Sequence, residues 1–273
     1  MFDQIYLEKT TVEQDDQARR RHLPFSGVKN FRDLGGYQTV GGRTIRWRVL
    51  YRSDCLHKLT ATDLKKLADL SLDRIIDFRA EHELAKEPDR LPINMCAVYI
   101  PILDSSTEIW RDSREQFVKD NLRNIHPAQY MIQTNIELAT RFTPQMRKFF
   151  GELVSTNGYP VLFHCAAGKD RTGFAAAILL RMLGVPQDVV LEDYLLSNRY
   201  YLSAYKSELA LLHLMKGKNF AAVVKGFLEV HPAYLSAAFE AIDNQHGSFE
   251  NYVRVGLGLT EKDIEHLKLF YLE

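Results

Sequence analysis

Apolar residues recur in two rhythms along the 273-residue chain. From Thr44 to Tyr51, Ile45, Trp47, Val49 and Tyr51 alternate with Arg46, Arg48 and Leu50, the period-two pattern of a half-buried strand. Short apolar runs follow at Arg74–Phe78 (RIIDF), Ala97–Ile102 (AVYIPI) and Tyr159–Phe163 (YPVLF). Bounded by polar segments, they fit interior strands of a sheet covered on both faces. Elsewhere the spacing becomes helical. Thr60, with Asp63 three residues on, resembles an N-terminal cap, and Leu64, Leu67 and Leu70 follow at helical intervals. A charged, helical stretch over about 105–156, with Tyr130, Ile132, Ile136, Phe142, Met146 and Phe149, reads as an insertion between two strands. It would serve either as an active-site lid or as a plain covering layer. From Thr172 onward the pattern is helical, with turns at Gly184–Pro186, Lys216–Lys218, His231–Pro232 and Gly256–Gly258 and a last cap at Thr260 and Asp263. Strands alternating with helices, then a helical C-terminal region, predict an α/β fold with a central, mainly parallel sheet flanked by helices. A polar arm over 1–22 precedes a single domain over 23–273.

Composition narrows the class. At 46% hydrophobic and 26% charged residues the chain is an ordinary globular protein, neither disordered nor collagen-like nor a disulfide scaffold. Lys plus Arg and Asp plus Glu are 35 each, so net charge supports neither nucleic-acid binding nor bulk attraction to anionic membranes; only a local basic patch could do so. Cys55, Cys96 and Cys165 are odd in number and lack metal-ligand spacing, which suits a reducing compartment. No apolar run has signal-peptide length and none approaches the roughly 18 residues of a membrane span, so the expectation is a soluble, cytoplasmic chain, with secretion by another route left open. Arg19 to Arg21 read as part of a solvated tail.

The chemistry concentrates in His164-Cys165-Ala166-Ala167-Gly168-Lys169-Asp170-Arg171-Thr172-Gly173, which runs from an apolar strand into the apolar helix Phe174–Leu183. Small residues at Ala166, Ala167 and Gly168 let the backbone wrap until its N–H groups converge at a helix N-terminus, where a dianion binds. The same dipoles stabilise a thiolate at Cys165. Arg171 has the planar fork needed to hold two phosphate oxygens, and Thr172 could hydrogen-bond the sulfur as it departs. The segment is not a Walker loop: no glycine precedes Lys169, and Asp170 stands where Ser or Thr is required. Lys169 adds a cation at the loop mouth, suited to extra phosphates, unless it pairs with a neighbouring acid. His164 is expected to support the loop backbone rather than to bind a metal.

HCAAGKDRTG resembles the phosphate-binding loop of cysteine-dependent tyrosine phosphatases, and more narrowly that of atypical bacterial tyrosine and lipid phosphatases whose loop also carries Lys-Asp before the Arg. Asn30–Tyr37 (NFRDLGGY), Tyr51–Asp54 (YRSD), Asp77–Arg79 (DFR) and Asp193–Asn198 (DYLLSN) agree with that resemblance. It implies a metal-free, cofactor-free reaction through a cysteinyl-phosphate on Cys165, with phosphorylated proteins or phosphoinositides as substrates; it leaves the oligomeric state open. It also implies Asp170 as the general acid. Asp104, after the strand YIPIL, occupies a place like the acid position of dual-specificity phosphatases and is the rival. Asp33 and Arg52 are expected near the site or bracing it, the alternative being a tight turn and a buried ion pair. The rival functions are a rhodanese-like sulfurtransferase and a non-catalytic phosphate-binding module.

Overall fold

The computed structural model describes residues 16–93, 95, 97–105 and 125–273. Arg32–Asp33, Leu50–Ser53, Arg74–Asp77, Ala97–Tyr99 and Val161–His164 form strands β1 to β5 of one sheet, ordered β1-β2-β5-β3-β4. β1 pairs antiparallel with β2, and all other pairs are parallel, so the sheet is mainly parallel as predicted. His164 at the end of the central strand has Ser53 as its register partner on one side and Asp77 on the other. The loop that follows therefore leaves the carboxyl edge between two neighbouring strand ends, where α/β sheets place ligands.

Helices α1 (Ala61–Asp69), α2 (Glu81–Lys86), α3 (Pro127–Ala139), α4 (Thr143–Ser155), α5 (Arg171–Met182), α6 (Gln187–Ser197), α7 (Lys206–Lys216), α8 (Lys218–Leu228), α9 (Pro232–His246) and α10 (Glu261–Tyr271) surround the sheet. Successive strand side chains point to opposite faces. Ile75 and Leu162 join Phe25, Phe31, Leu59 and Leu67 in a smaller core, while Ile76, Val161 and Phe163 join the larger core built from α3, α4, α5 and α9. Helix α5 is buried all round except at Arg181, which accounts for its lack of a polar stripe. Both predicted capping boxes form, Thr60 with Asp63 and Thr260 with Asp263.

Three expectations change, and the described part of the insertion takes the covering-layer reading. The segment Thr44–Tyr51 keeps its alternating burial only as far as Val49; Leu50 and Tyr51 are both buried, and the ladder begins at Leu50. Arg48 has a positive φ of 66° and its N–H donates to Asp33 Oδ2, so the chain turns there; Thr44 and Arg46 donate to the carbonyls of Glu273 and Tyr271 instead. Strand β4 is an edge strand with Tyr99 55% exposed, not an interior one. The described part of the insertion is core: Met131, Leu138, Met146, Phe149 and Leu153 are buried, and the Phe149 ring lies 5.3 Å from Phe78 and 5.0 Å from Phe163. A lid within 106–124 lies outside the described residues, as does Cys96. The end of the N-terminal arm is not a solvated tail. Arg21 is buried, donates to the Gly35 carbonyl and stacks 3.6 Å over Tyr37, while His22 stacks on Tyr200 at 4.2 Å.

Among the described residues no helix is long and apolar enough to cross a membrane.

Candidate active site

The segment 165–170 is a loop whose carbonyls are tied back to the scaffold. Cys55 N–H donates to the Ala166 carbonyl, Asn30 Nδ2 donates to the carbonyls of Ala167 and Gly168, each at 3.1 Å, and Arg52 Nη2 donates to the Gly168 carbonyl at 2.8 Å. These bonds fix the shape of the loop. Gly168 N–H donates to Cys165 Sγ at 3.3 Å, and among the described residues the amides of Ala166, Ala167, Lys169 and Asp170 have no acceptor in the chain. Loop N–H groups left unpaired at the start of α5, beside one that meets the sulfur, suit the binding of an anion there. Cys165 is buried.

Arg171, the first residue of α5, is fixed by a residue that the sequence did not single out. Glu83, in the first turn of α2, accepts from Arg171 Nη1 at 2.6 Å and Nη2 at 2.9 Å, and the carbonyls of Phe78 and Ile102 lie 3.3 Å from Nη1. That two-point grip uses the end of the guanidinium and leaves the outer Nη2 hydrogen for a phosphate oxygen, while Nε lies 3.6 Å from Asp104 Oδ2. Burial alone would lower the Arg171 pKa, but Glu83 outweighs it and holds it well above the usual value. Burial acts upward on Glu83, and the Arg171 charge overrides it to hold that carboxyl below its ordinary value.

The two candidate acids differ. Asp170 Oδ2 accepts from Lys169 Nζ at 2.5 Å, while its Oδ1 is buried without a partner among the described residues. Burial pushes the Asp170 pKa up against the pull of Lys169. Asp104 lies beside the arginine, its Oδ2 3.6 Å from Arg171 Nε and its side chain 1% exposed. Lys169 is buried rather than solvated, with Nζ on Asp170 and 3.5 Å from the Glu229 carbonyl. Thr172 Oγ1 is buried, and the expected bond to the sulfur is absent here: the hydroxyl has no partner among the described residues.

His164 holds the strand end. Its Nε2 lies 3.1 Å from Asp89 Oδ2 and 3.8 Å from Asp77 Oδ2, and its Nδ1 lies 3.5 Å from the Cys165 carbonyl oxygen. Burial pulls the imidazole pKa down, but Asp77 and Asp89 prevail and raise it. Arg52 combines both of its readings, because Nη1 pairs with Asp193 Oδ2 at 2.5 Å while Nη2 reaches the loop. Asp33 takes the turn reading: it accepts from Gly35 N–H and Arg48 N–H, both at 2.8 Å, and not from the loop.

The sequence pattern does not single out Glu83 or Asp89, and it gives Asn30, Asp54 and Asp193 no separate roles although they stand in the matched stretches. The available signal was position, since Glu83 follows four residues after Arg79 in DFRAEHE, just past a strand end. Asp77, Asp89 and His164 are close enough to ligate a metal, but Arg79 Nη2 already bonds both carboxylates, at 2.7 and 2.8 Å. Cys55, His57 and Glu87 form a second such cluster, with Cys55 Sγ 3.0 Å from His57 Nδ1.

The profile of the tyrosine phosphatase family matches residues 23–273. A Cupriavidus necator protein, named a tyrosine-protein phosphatase by inference, is 38% identical over 256 residues, covering 93% of this chain and 89% of that one. The triple specificity protein phosphatase PtpB of Mycobacterium tuberculosis is 30% identical over 277 residues, covering 91% and 97% respectively. The crystal structure of P. aeruginosa TpbA in complex with pTyr aligns with 83% of this chain and 88% of its own at 14% identity and a TM-score of 0.31, too loose to carry argument. With the family profile spanning everything from the buried β2 and β5 to the last helix, the chain belongs to the tyrosine phosphatase family and is a phosphatase enzyme.

Proposed function

We propose that this enzyme removes the phosphoryl group from phosphotyrosine in proteins through a cysteinyl-phosphate on Cys165. The observation that carries the reading is the loop: the Gly168 amide meets the Cys165 sulfur, the neighbouring loop amides have no acceptor among the described residues, and Arg171, gripped by Glu83, opens the helix that follows. In the first step the Cys165 thiolate attacks phosphorus, the ester P–O bond breaks, and the leaving phenolate oxygen takes a proton from Asp170. In the second, the Asp170 carboxylate accepts a proton from water, the water oxygen attacks phosphorus, the S–P bond breaks, and phosphate leaves with the thiolate restored. Backbone amides and Arg171 neutralise charge on the three equatorial oxygens in both steps. Thr172, with its free hydroxyl, is the donor available to the departing sulfur.

Asp170 is favoured over Asp104 as the acid because burial raises its pKa, as a proton donor near neutrality requires, whereas Asp104 lies against the Arg171 guanidinium. The pairing of Lys169 with Asp170 removes the free cation that a second substrate phosphate would want, which favours the aryl ester over polyphosphorylated lipids. The relatives named as tyrosine-protein and triple specificity protein phosphatases support phosphotyrosine in proteins as a substrate. The test is phosphate release from a phosphotyrosine peptide, a phosphoserine peptide and phosphoinositides, with and without vanadate. Release from phosphotyrosine should be fastest and should vanish in Cys165→Ser. Asp170→Asn should slow it by about 10²–10⁴-fold, far more than Asp104→Asn. Full activity in Cys165→Ser would exclude the covalent route, and a larger loss in Asp104→Asn would reassign the acid.

A further inference from the structure

Helix α7 is built for burial and has none. Six of its eleven residues are apolar (Leu209, Ala210, Leu211, Leu212, Leu214 and Met215), yet no residue in it is buried. Leu211, Leu214 and Met215 are 56%, 83% and 67% exposed. Apolar side chains scattered singly on a surface need no explanation, but a whole helix of them does. Its partner in the hairpin, α8, buries Ala221 and Phe227, and between the two helices an open groove of about 550 Å³ is lined by Leu209, Leu214, Ala221 and Ala222 with Lys218 and Lys225. The turn between the helices is Lys216-Gly217-Lys218, and residues 213–219 are all exposed, so the hairpin tip projects from the body.

Charge decides what fits this tip. Over 206–229 there are four lysines (Lys206, Lys216, Lys218 and Lys225) against two glutamates, Glu208 and Glu229, and Glu229 pairs with Lys225 at 3.3 Å, so the unpaired excess sits at Lys216 and Lys218 of the tip, in a chain whose charges sum to zero. All four lysines are exposed. A second copy of the chain would bring the same cations against these and be repelled. A projecting apolar ridge flanked by lysines is the pattern of an interfacial segment, with apolar side chains entering the acyl boundary while lysines remain among anionic headgroups. The root of the hairpin is rigid: Asn198 and Val230 exchange two hydrogen bonds of 2.8 Å, and the Glu229 carbonyl abuts Lys169 of the loop. At 1.5 Å per residue, the tip stands roughly 16 Å from that root.

We infer that the α7–α8 hairpin docks this phosphatase on an anionic lipid bilayer through Leu211, Leu214 and Met215, with Lys216 and Lys218 on the headgroups. The inference goes beyond the proposed reaction and does not depend on Cys165, so the two fail separately.

The test is sedimentation with phosphatidylcholine vesicles, with and without about 30% phosphatidylserine, at low and high salt. The full chain should bind the phosphatidylserine vesicles, bind pure phosphatidylcholine at least about tenfold more weakly, and be released by salt. Leu214→Asp with Met215→Asp, and separately Lys216→Glu with Lys218→Glu, should each weaken binding by about tenfold or more. Both variants should keep their circular dichroism and their turnover of a soluble aryl phosphate, and Cys165→Ser should bind as the unaltered protein does. Absence of vesicle binding, or equal binding to both compositions, would overturn the inference. So would self-association removed by the Asp variant, which would assign the face to a second copy. A drop in soluble turnover without loss of vesicle binding would also overturn it, since the hairpin would then act on the site itself.

Discussion

At Gly168 the backbone lies in the left-handed region, with φ of +65°, and its Cα packs against β2 so closely that an added Cβ would come within 2.4 Å of the Ser53 carbonyl oxygen. Backbone atoms of a central strand cannot yield that distance. Gly168→Ala should therefore cost about 2–4 kcal/mol of stability, read as a lower urea midpoint, and should reduce turnover by more than the loss of folded protein explains, because the Gly168 amide that meets the sulfur must move. Activity equal to that of the unaltered protein would show that the loop tolerates a shift. At this scale the sequence was most legible where chemistry is local: Cys165, Asp170 and Arg171 lie within seven residues. Glu83 was illegible because a glutamate early in a short helix reads as an ordinary capping residue, and it does cap, accepting from the Ala80 N–H. Its second task depends on a partner 88 positions away.

Among the elements, α2 carries more than its six residues suggest. It buries nothing, yet it delivers Glu83 to Arg171 from the end of β3. Glu83→Gln keeps one acceptor and loses the charge, so the guanidinium should be free to wander. Turnover of an aryl phosphate is expected to fall about 10–100-fold, with vanadate affinity reduced alongside it and the folded state retained. An unchanged kcat would mean that the Phe78 and Ile102 carbonyls position Arg171 unaided. Strand boundaries were read less well than helix caps, for a physical reason. A cap is a local bond, as Thr60 and Thr260 show, whereas alternation records only which side chains are sheltered. Ile45 is sheltered beside the last residues of the chain, and nothing near Thr44 announces that its hydrogen-bond partner is Glu273.

Across the whole molecule, buried carboxyls set how stability responds to pH. Asp54, buried beneath the loop, accepts from Lys29 and Asn30 N–H, and burial raises its pKa to about 6. A carboxyl with a raised folded pKa binds its proton more tightly when folded, so its contribution is full below about pH 4 and is lost as pH rises through about 6. Asp54→Asn should thus gain on the unaltered protein by up to roughly 3 kcal/mol as pH rises from 4 to 7, measured from paired urea curves; parallel curves would refute the shift. Asp63 has the opposite sign. Despite a desolvation cost, bonds from Ser26, Thr60 and Gly27 lower it to about 2, and its contribution persists until pH falls toward that value. The loop above these groups is shaped by Asn30 and Arg52, and Arg52 by Asp193, so distant stretches of chain meet at one turn. Turnover is consequently a gauge of global folding: loss of activity and loss of structure should follow one curve on denaturation, and a fragment ending before Asp193 would carry the motif's letters without its shape.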